Sequence, residues 1–123
     1  MIAGIIVFAH GSRVESANEA VRAVARDLAR ASGREHVVAA FLELGVPDLA
    51  GAADQLVAEG VQRLVIIPYF LTLGLHMERD LPRLVQDVQD KHKGLQINVT
   101  APLDGHPGLV TILADRALSV LRS

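Results

Sequence analysis

The sequence predicts an open, parallel α/β sheet of about four strands flanked by helices, in a single domain spanning residues 1–123. Three observations carry this expectation. Four short apolar runs alternate with four longer stretches of helical period, repeating every 25–35 residues or about that. Half the residues are hydrophobic but only 3% are aromatic, so the interior is built from Ala, Val, Leu and Ile, as suits strands covered on both faces. A chain of 123 residues has the length of one ordinary core, and no linker, repeat or low-complexity tract divides it.

The first run, residues 2–9, has too few polar interruptions for a half-exposed strand and reads as a buried central one. Beyond His10-Gly11-Ser12-Arg13, apolar residues at Ala17, Ala20, Val21, Val24, Ala25 and Leu28 keep three- and four-residue spacing, and Gly33 follows as a stop. The second strand is expected over residues 37–44. Asp48 is placed to cap a helix carrying Leu49, Ala52, Ala53, Leu56 and Val57, which Gly60 ends. The third strand, residues 64–67, runs into Pro68, which cannot donate to a ladder and so stands near its end.

Residues 71–77 read as a loop, after which Asp80 caps a helix with Pro82 in its first turn and Leu81, Leu84, Val85 and Val88 on one face. Gly94 closes that helix. The fourth strand is expected over residues 95–101. A turn-rich stretch, Pro102-Leu103-Asp104-Gly105-His106-Pro107-Gly108, leads to a closing helix with Leu109, Ile112, Leu113, Ala117, Val120 and Leu121.

In such a sheet the loops after the strands gather at the carboxyl edge, and ligands bind where neighbouring crossovers diverge. The strand ends present, in turn, His10, Glu43, His76, and Asp104 with His106. Right-handed crossovers give the order 2-1-3-4, which makes strands 1 and 3 neighbours and sets His10 and His76 across one crevice. Two imidazoles with a nearby carboxylate suit Fe, Co, Ni or Zn and leave coordination positions open. A lone histidine after a strand is more often bonded to backbone than to a metal, but His10 directly follows a buried strand and precedes Gly-Ser. Glu43, inside Phe41-Leu42-Glu43-Leu44, reads equally as a carboxylate in an apolar setting that suits proton transfer and as a solvated strand-end carboxylate. The leucine-rich loop around His76 is expected to line a ligand or partner, whereas His36 and His92 read as solvent-facing.

Composition removes several classes of function. Without cysteine there is no disulfide, thiolate nucleophile or Cys-based metal site. The 12 Lys and Arg are scattered and nearly balance 14 Asp and Glu, which leaves no footprint for nucleic acid. No stretch approaches the roughly 20 apolar residues that cross a bilayer, and the N-terminal run lacks the basic flank and cleavage site of a signal peptide; no membrane partner and a cytoplasmic location are the expectations. A phospho-acceptor receiver domain needs an aspartate where His10 stands, and the Arg-His-Gly of a histidine phosphatase is absent.

Taken together, Phe8-Ala9-His10-Gly11-Ser12-Arg13, Phe41-Leu42-Glu43-Leu44 ahead of Pro47, Pro68-Tyr69-Phe70-Leu71 leading to Gly74-Leu75-His76 and Asp80-Leu81-Pro82, and the late Gly105-His106-Pro107 resemble the class II chelatases. The short sirohydrochlorin chelatases of cobalamin and sirohaem synthesis are the nearest in pattern. The resemblance implies a flavodoxin-like half-domain that works as a homodimer and inserts Co²⁺ or Fe²⁺ into sirohydrochlorin without ATP, with no permanently bound cofactor. It implies His10 and His76 as metal ligands and catalytic groups, and Glu43 as the carboxylate at the macrocycle. Ser12 and Arg13 at a helix start, and Phe70, Leu71, Leu73 and Leu75 in the apolar loop, are the residues expected to bind the substrate. Nickel insertion is the family alternative, made less attractive by the lack of a histidine-rich insertion. A metal-binding or delivery protein without turnover is the alternative outside enzymes.

Overall fold

The structure is a computed structural model, and it describes residues 1–122; Ser123, the last residue of the expected domain, lies outside the described residues. Four parallel strands, β1 (Ala3–Ala9), β2 (Val37–Phe41), β3 (Arg63–Pro68) and β4 (Gln96–Val99), lie in the order β2-β1-β3-β4. They alternate with helices α1 (Glu15–Ser32), α2 (Leu49–Ala58), α3 (Leu75–Lys91) and α4 (Pro107–Leu121). The expected topology is therefore observed, with β1 paired to both β2 and β3.

Strand alternation divides the core into two layers. Ile6, Phe8, Ala40, Leu64 and Ile66 face α2 and α3, which contribute Leu49, Ala52, Ala53, Leu56, Met77, Leu81 and Val88. Val7, Ala9, Val37, Ala39 and Phe41 face α1, anchored by Ala25. Full burial of an Ile, Leu or Phe stabilises by about 1.5–3 kcal/mol, so the strand centres dominate the energetics.

Two element boundaries differ from the sequence expectation in ways that move the site. β2 stops at Phe41, and Leu42, Glu43 and Leu44 leave the sheet in a tight loop. The helix expected to start after Asp80 instead starts at Leu75, with Gly74 as a cap that supplies no side-chain bond. Pro82 therefore sits inside α3 and cannot donate to the carbonyl of Glu78. The buried residues Met77 and Leu81, one turn apart and both ahead of Pro82, hold the extra turn on the core, so tertiary burial overrides the local preference for Asp at the cap and Pro at the first position.

The last helix also departs from expectation. It forms as predicted, but no residue of α4 is buried, so it does not close the core of its own chain. His36 and His92 are not merely solvated either. The His36 Nδ1–H donates to Glu59 at 2.8 Å, and the His92 Nε2–H donates to Asp54 at 2.8 Å, each tying a neighbouring segment to α2.

Candidate metal and tetrapyrrole site

The carboxyl ends of β1 and β2 continue to pair beyond the strands. The Leu42 amide donates to the Ala9 carbonyl at 2.9 Å, and the Glu43 amide donates to the His10 carbonyl at 3.1 Å. This brings the two loops so close that a Cβ on Gly11 would lie 1.7 Å from the Glu43 carbonyl oxygen, and Gly11 itself has φ +95°, in the left-handed region. Only glycine fits there.

Beneath the same loops lies Asn18, 1% exposed on α1. Its carbonyl oxygen accepts from the Ser12 amide at 2.9 Å, while its Nδ2 donates to the carbonyls of Ser12 and Leu44, each at 2.9 Å. One side chain thus binds the β1–α1 loop to the β2–α2 loop and holds Leu44 at a φ of 59°, which a branched-chain residue rarely adopts. The sequence reading missed Asn18. Its signal was a polar residue between Ala17 and Ala20 in the first turn of an apolar-periodic helix.

His10 emerges from this clamp exposed, and its Nδ1–H donates a long bond of 3.4 Å to the Gly11 carbonyl. That arrangement leaves the Nε2 lone pair outward. His76 arrives differently, on the first turn of α3 rather than in a loop. Its Nδ1 accepts from Arg79 Nη2 at 3.1 Å, so its proton is on Nε2. A cation could take His76 through Nδ1 only if Arg79 lets go, or through Nε2 only once that proton has left.

Both histidines line one cavity of about 220 Å³, shared with Leu42, Phe70, Gly74, Leu75, Met77 and Asp80. Phe70 is set by an edge-on contact with Phe8 at 6.3 Å between ring centres. Of the other expected substrate residues, Leu75 lines the cavity and Leu71 is exposed nearby in the preceding segment. Leu73 instead lines a different groove, beside α3, and Ser12 and Arg13 are not on the cavity wall. Ser12 spends its backbone on Asn18, and its hydroxyl accepts from the Val14 amide at 3.0 Å. At the start of α4, the Gly108 amide already donates to His106 Nδ1, so that amide is not free for a substrate carboxylate.

Of the two settings open to Glu43 the structure shows the solvated one: its side chain is exposed, because β2 ends two residues earlier, and the apolar setting is absent. The carboxylate on the cavity wall is Asp80, one helical turn after His76. The i, i+4 spacing was present in the sequence, but it reads as a shared face only once the helix is known to begin at Leu75. Among the described residues no three His, Cys, Asp or Glu side chains form a ready cage for a metal ion.

The family model described as CbiX matches residues 4–120. The chain is 33% identical over 113 residues to the chloroplastic sirohydrochlorin ferrochelatase of Arabidopsis thaliana, covering 92% of this chain but about half, 50%, of that relative. It is 27% identical over 120 residues to the sirohydrochlorin cobaltochelatase of Sulfurisphaera tokodaii, covering 98% of this chain and 95% of that one. The crystal structure of a CbiX protein from Marinobacter aquaeolei VT8 superposes with a TM-score of 0.85 at 27% identity, over 98% of this chain and 99% of the other.

Proposed function

Because the chain belongs to the CbiX family, we propose that it is a sirohydrochlorin chelatase, inserting Co²⁺ or Fe²⁺ into the macrocycle without ATP, in cobalamin or sirohaem synthesis. The observation that carries the reading is the convergence of His10 and His76, 66 positions apart in the chain, on one cavity at the switch point of the sheet. The relatives named above for iron and cobalt support the reaction class. The metal is a substrate and must leave. Two imidazoles without a third protein ligand suit that need, because a closed four-ligand cage retains its ion.

In the reaction the ion exchanges its ligands for four pyrrole nitrogens, and two N–H protons leave the macrocycle. His10 and His76 hold the partly dehydrated ion. Asp80 on the cavity wall and Glu43 at the adjoining loop are the carboxylates available to accept protons. The exposed faces of Leu71 and Leu75 and the ring of Phe70 offer the apolar contact a flat macrocycle requires, and Arg13, exposed at the neighbouring loop, is available for a peripheral carboxylate. A tetrapyrrole is broad relative to a 220 Å³ cavity, so a second copy of the chain completing its seat belongs to the same reading. Among the described residues no helix is long and apolar enough to cross a membrane, and a cytoplasmic setting belongs to the same reading.

The test is to mix the purified protein with sirohydrochlorin and Co²⁺ or Fe²⁺ and follow the absorption change of metallation. His10→Ala and His76→Ala are each expected to slow insertion at least about 100-fold, since even outer partners of metal ligands cost 10- to 100-fold. Metal binding without any turnover would replace this reading with that of a delivery protein. Full activity in either variant would remove that histidine from the site.

A further inference from the structure

We propose that Arg79 is a substrate-operated latch on His76: a peripheral carboxylate of the tetrapyrrole draws the Arg79 guanidinium off the imidazole, so that this histidine becomes available to the metal only once the macrocycle is seated. The inference rests on the chelatase reading above and names the order in which the two substrates are taken.

The two histidines differ in what already engages them. His10 makes one long bond, 3.4 Å, to the carbonyl of its neighbour Gly11, which leaves Nε2 outward. His76 is held by a side chain: Arg79 Nη2 donates to its Nδ1 at 3.1 Å, across one turn of α3. An ion that reaches the cavity without a macrocycle therefore meets one available imidazole and one latched one. A guanidinium keeps its proton at any pH a protein survives, so this donor is switched only by moving it.

The same guanidinium is poised for a carboxylate it does not yet have. The Arg79 side chain is 73% exposed, and Asp80 Oδ1 stands 3.7 Å from its Nε, beyond hydrogen-bond reach, with Arg83 Nη2 on the same oxygen at 3.8 Å. Adjacent residues on a helix point about 100° apart, so Asp80, on the cavity wall, cannot offer Arg79 the two parallel bonds a guanidinium prefers. Glu78 lies on the other side, along the groove between α3 and β4. The rim beside His76 thus carries two guanidiniums against one carboxylate, a positive edge with donors to spare.

The substrate brings the missing carboxylate to that edge. The ring centre must stand at His10 and His76 to receive the ion, and a cavity of about 220 Å³ is too small to enclose the macrocycle, so its periphery extends past the rim. That periphery carries acetate and propionate side chains in a sirohydrochlorin-type ring. Arg79, bonded to the imidazole, lies under this overhang. Its bond to His76 is single and the acceptor neutral, whereas a guanidinium–carboxylate pair has charge at both ends and two parallel bonds, so the carboxylate draws Arg79 from Nδ1. No proton leaves either residue. Once free, Nδ1 binds the ion, or takes the ring proton so that Nε2 binds it. Departure of the metallated macrocycle returns Arg79 to His76, and the pair of histidines does not retain an ion that has no macrocycle to enter.

The test is calorimetry of Co²⁺ binding to the full-length chain, alone and saturated with zinc uroporphyrin, a probe that keeps the peripheral carboxylates while its centre is already filled. In the wild type the porphyrin is expected to tighten Co²⁺ binding by about five-fold, the equivalent of one hydrogen bond, and Co²⁺ to tighten porphyrin binding by the same factor. Arg79→Ala should bind Co²⁺ about five-fold more tightly than the wild type without porphyrin, gain nothing when porphyrin is added, and bind the porphyrin itself about five-fold more weakly. Arg83→Ala, which removes a partner of Asp80 and leaves the bond to His76 in place, should weaken porphyrin binding but keep the coupling. Loss of the coupling in Arg79→Ala alone is a result that a merely structural role for this exposed residue does not produce. Equal Co²⁺ affinities with and without porphyrin in the wild type, or a weaker one with it, would overturn the latch, as would coupling that survives in Arg79→Ala. Metallation of sirohydrochlorin by the same samples separates the two readings: turnover without coupling overturns the latch alone, and coupling without turnover overturns the chelatase reading and leaves an anion-operated metal site.

Discussion

The loop that carries His10 and the helical turn that carries His76 reach the same cavity from backbones held in opposite ways. The first is clamped: Asn18 bonds it from below, the Glu43 amide bonds it from the side, and Gly11 lets the two loops touch. The second hangs from a cap without a side-chain bond, one buried methionine and a proline-interrupted ladder, and its imidazole is engaged by Arg79. An ion that must be captured and then surrendered benefits from this asymmetry. One ligand defines the place, and the other can be released.

Four changes break or sharpen that contrast. The largest effect is expected from Gly11→Ala, which forces a Cβ into the Glu43 carbonyl and a left-handed φ on alanine; it should cost at least about 3 kcal/mol in urea unfolding and displace His10, abolishing metallation with it. Asn18→Ala leaves the Ser12 amide and the carbonyls of Ser12 and Leu44 without their partner in a buried place, and is expected to lower stability by about 2–3 kcal/mol. If Asn18→Ala left the unfolding midpoint unchanged, the clamp would be no more than a packing detail.

Arg79→Ala carries the opposite sign. Removing the donor to His76 Nδ1, together with a positive charge beside the ion, should tighten Co²⁺ binding by about five-fold in calorimetry, the equivalent of one hydrogen bond of about 1 kcal/mol. Weaker binding would mean that Arg79 orients the imidazole instead of competing for it.

The smallest effect lies away from the site. The Lys91 ammonium, followed by His92, holds the Asp54 carboxyl below its ordinary range, and His36 does the same for Glu59. A carboxylate with a depressed folded value stabilises at pH above its ordinary range, and that stabilisation is lost as pH falls through the folded value. The melting temperature should therefore decline slightly as pH drops below about 4, and Asp54→Asn should flatten that decline. An unchanged profile in Asp54→Asn would assign the acid sensitivity elsewhere. These pairs fasten α2 to its neighbours, at the far end of α3 from His76 and away from the His10 loop, so Asp54→Asn should leave metallation unchanged.

What the sequence determined by itself is the layer plan. Apolar runs at Ile6, Phe8, Leu64 and Ile66 can be satisfied only inside a sheet covered on both faces, and alternation with helical periods leaves few orders of strands, the observed one among them. His10 was legible because a buried strand ends directly before it. The rest turned on three-dimensional burial, which local signals misjudge. Asp80 and Pro82 look like a helix start, yet Met77 and Leu81 draw the helix back to Leu75, and this alone turns His76 and Asp80 toward one cavity. Glu43 looks enclosed among apolar neighbours in one dimension, but the sheet ends at Phe41 and leaves it in solvent. The last helix shows the same division: its apolar residues at three- and four-residue spacing predict that it forms, whereas only the tertiary structure shows that none of them is buried in the subunit.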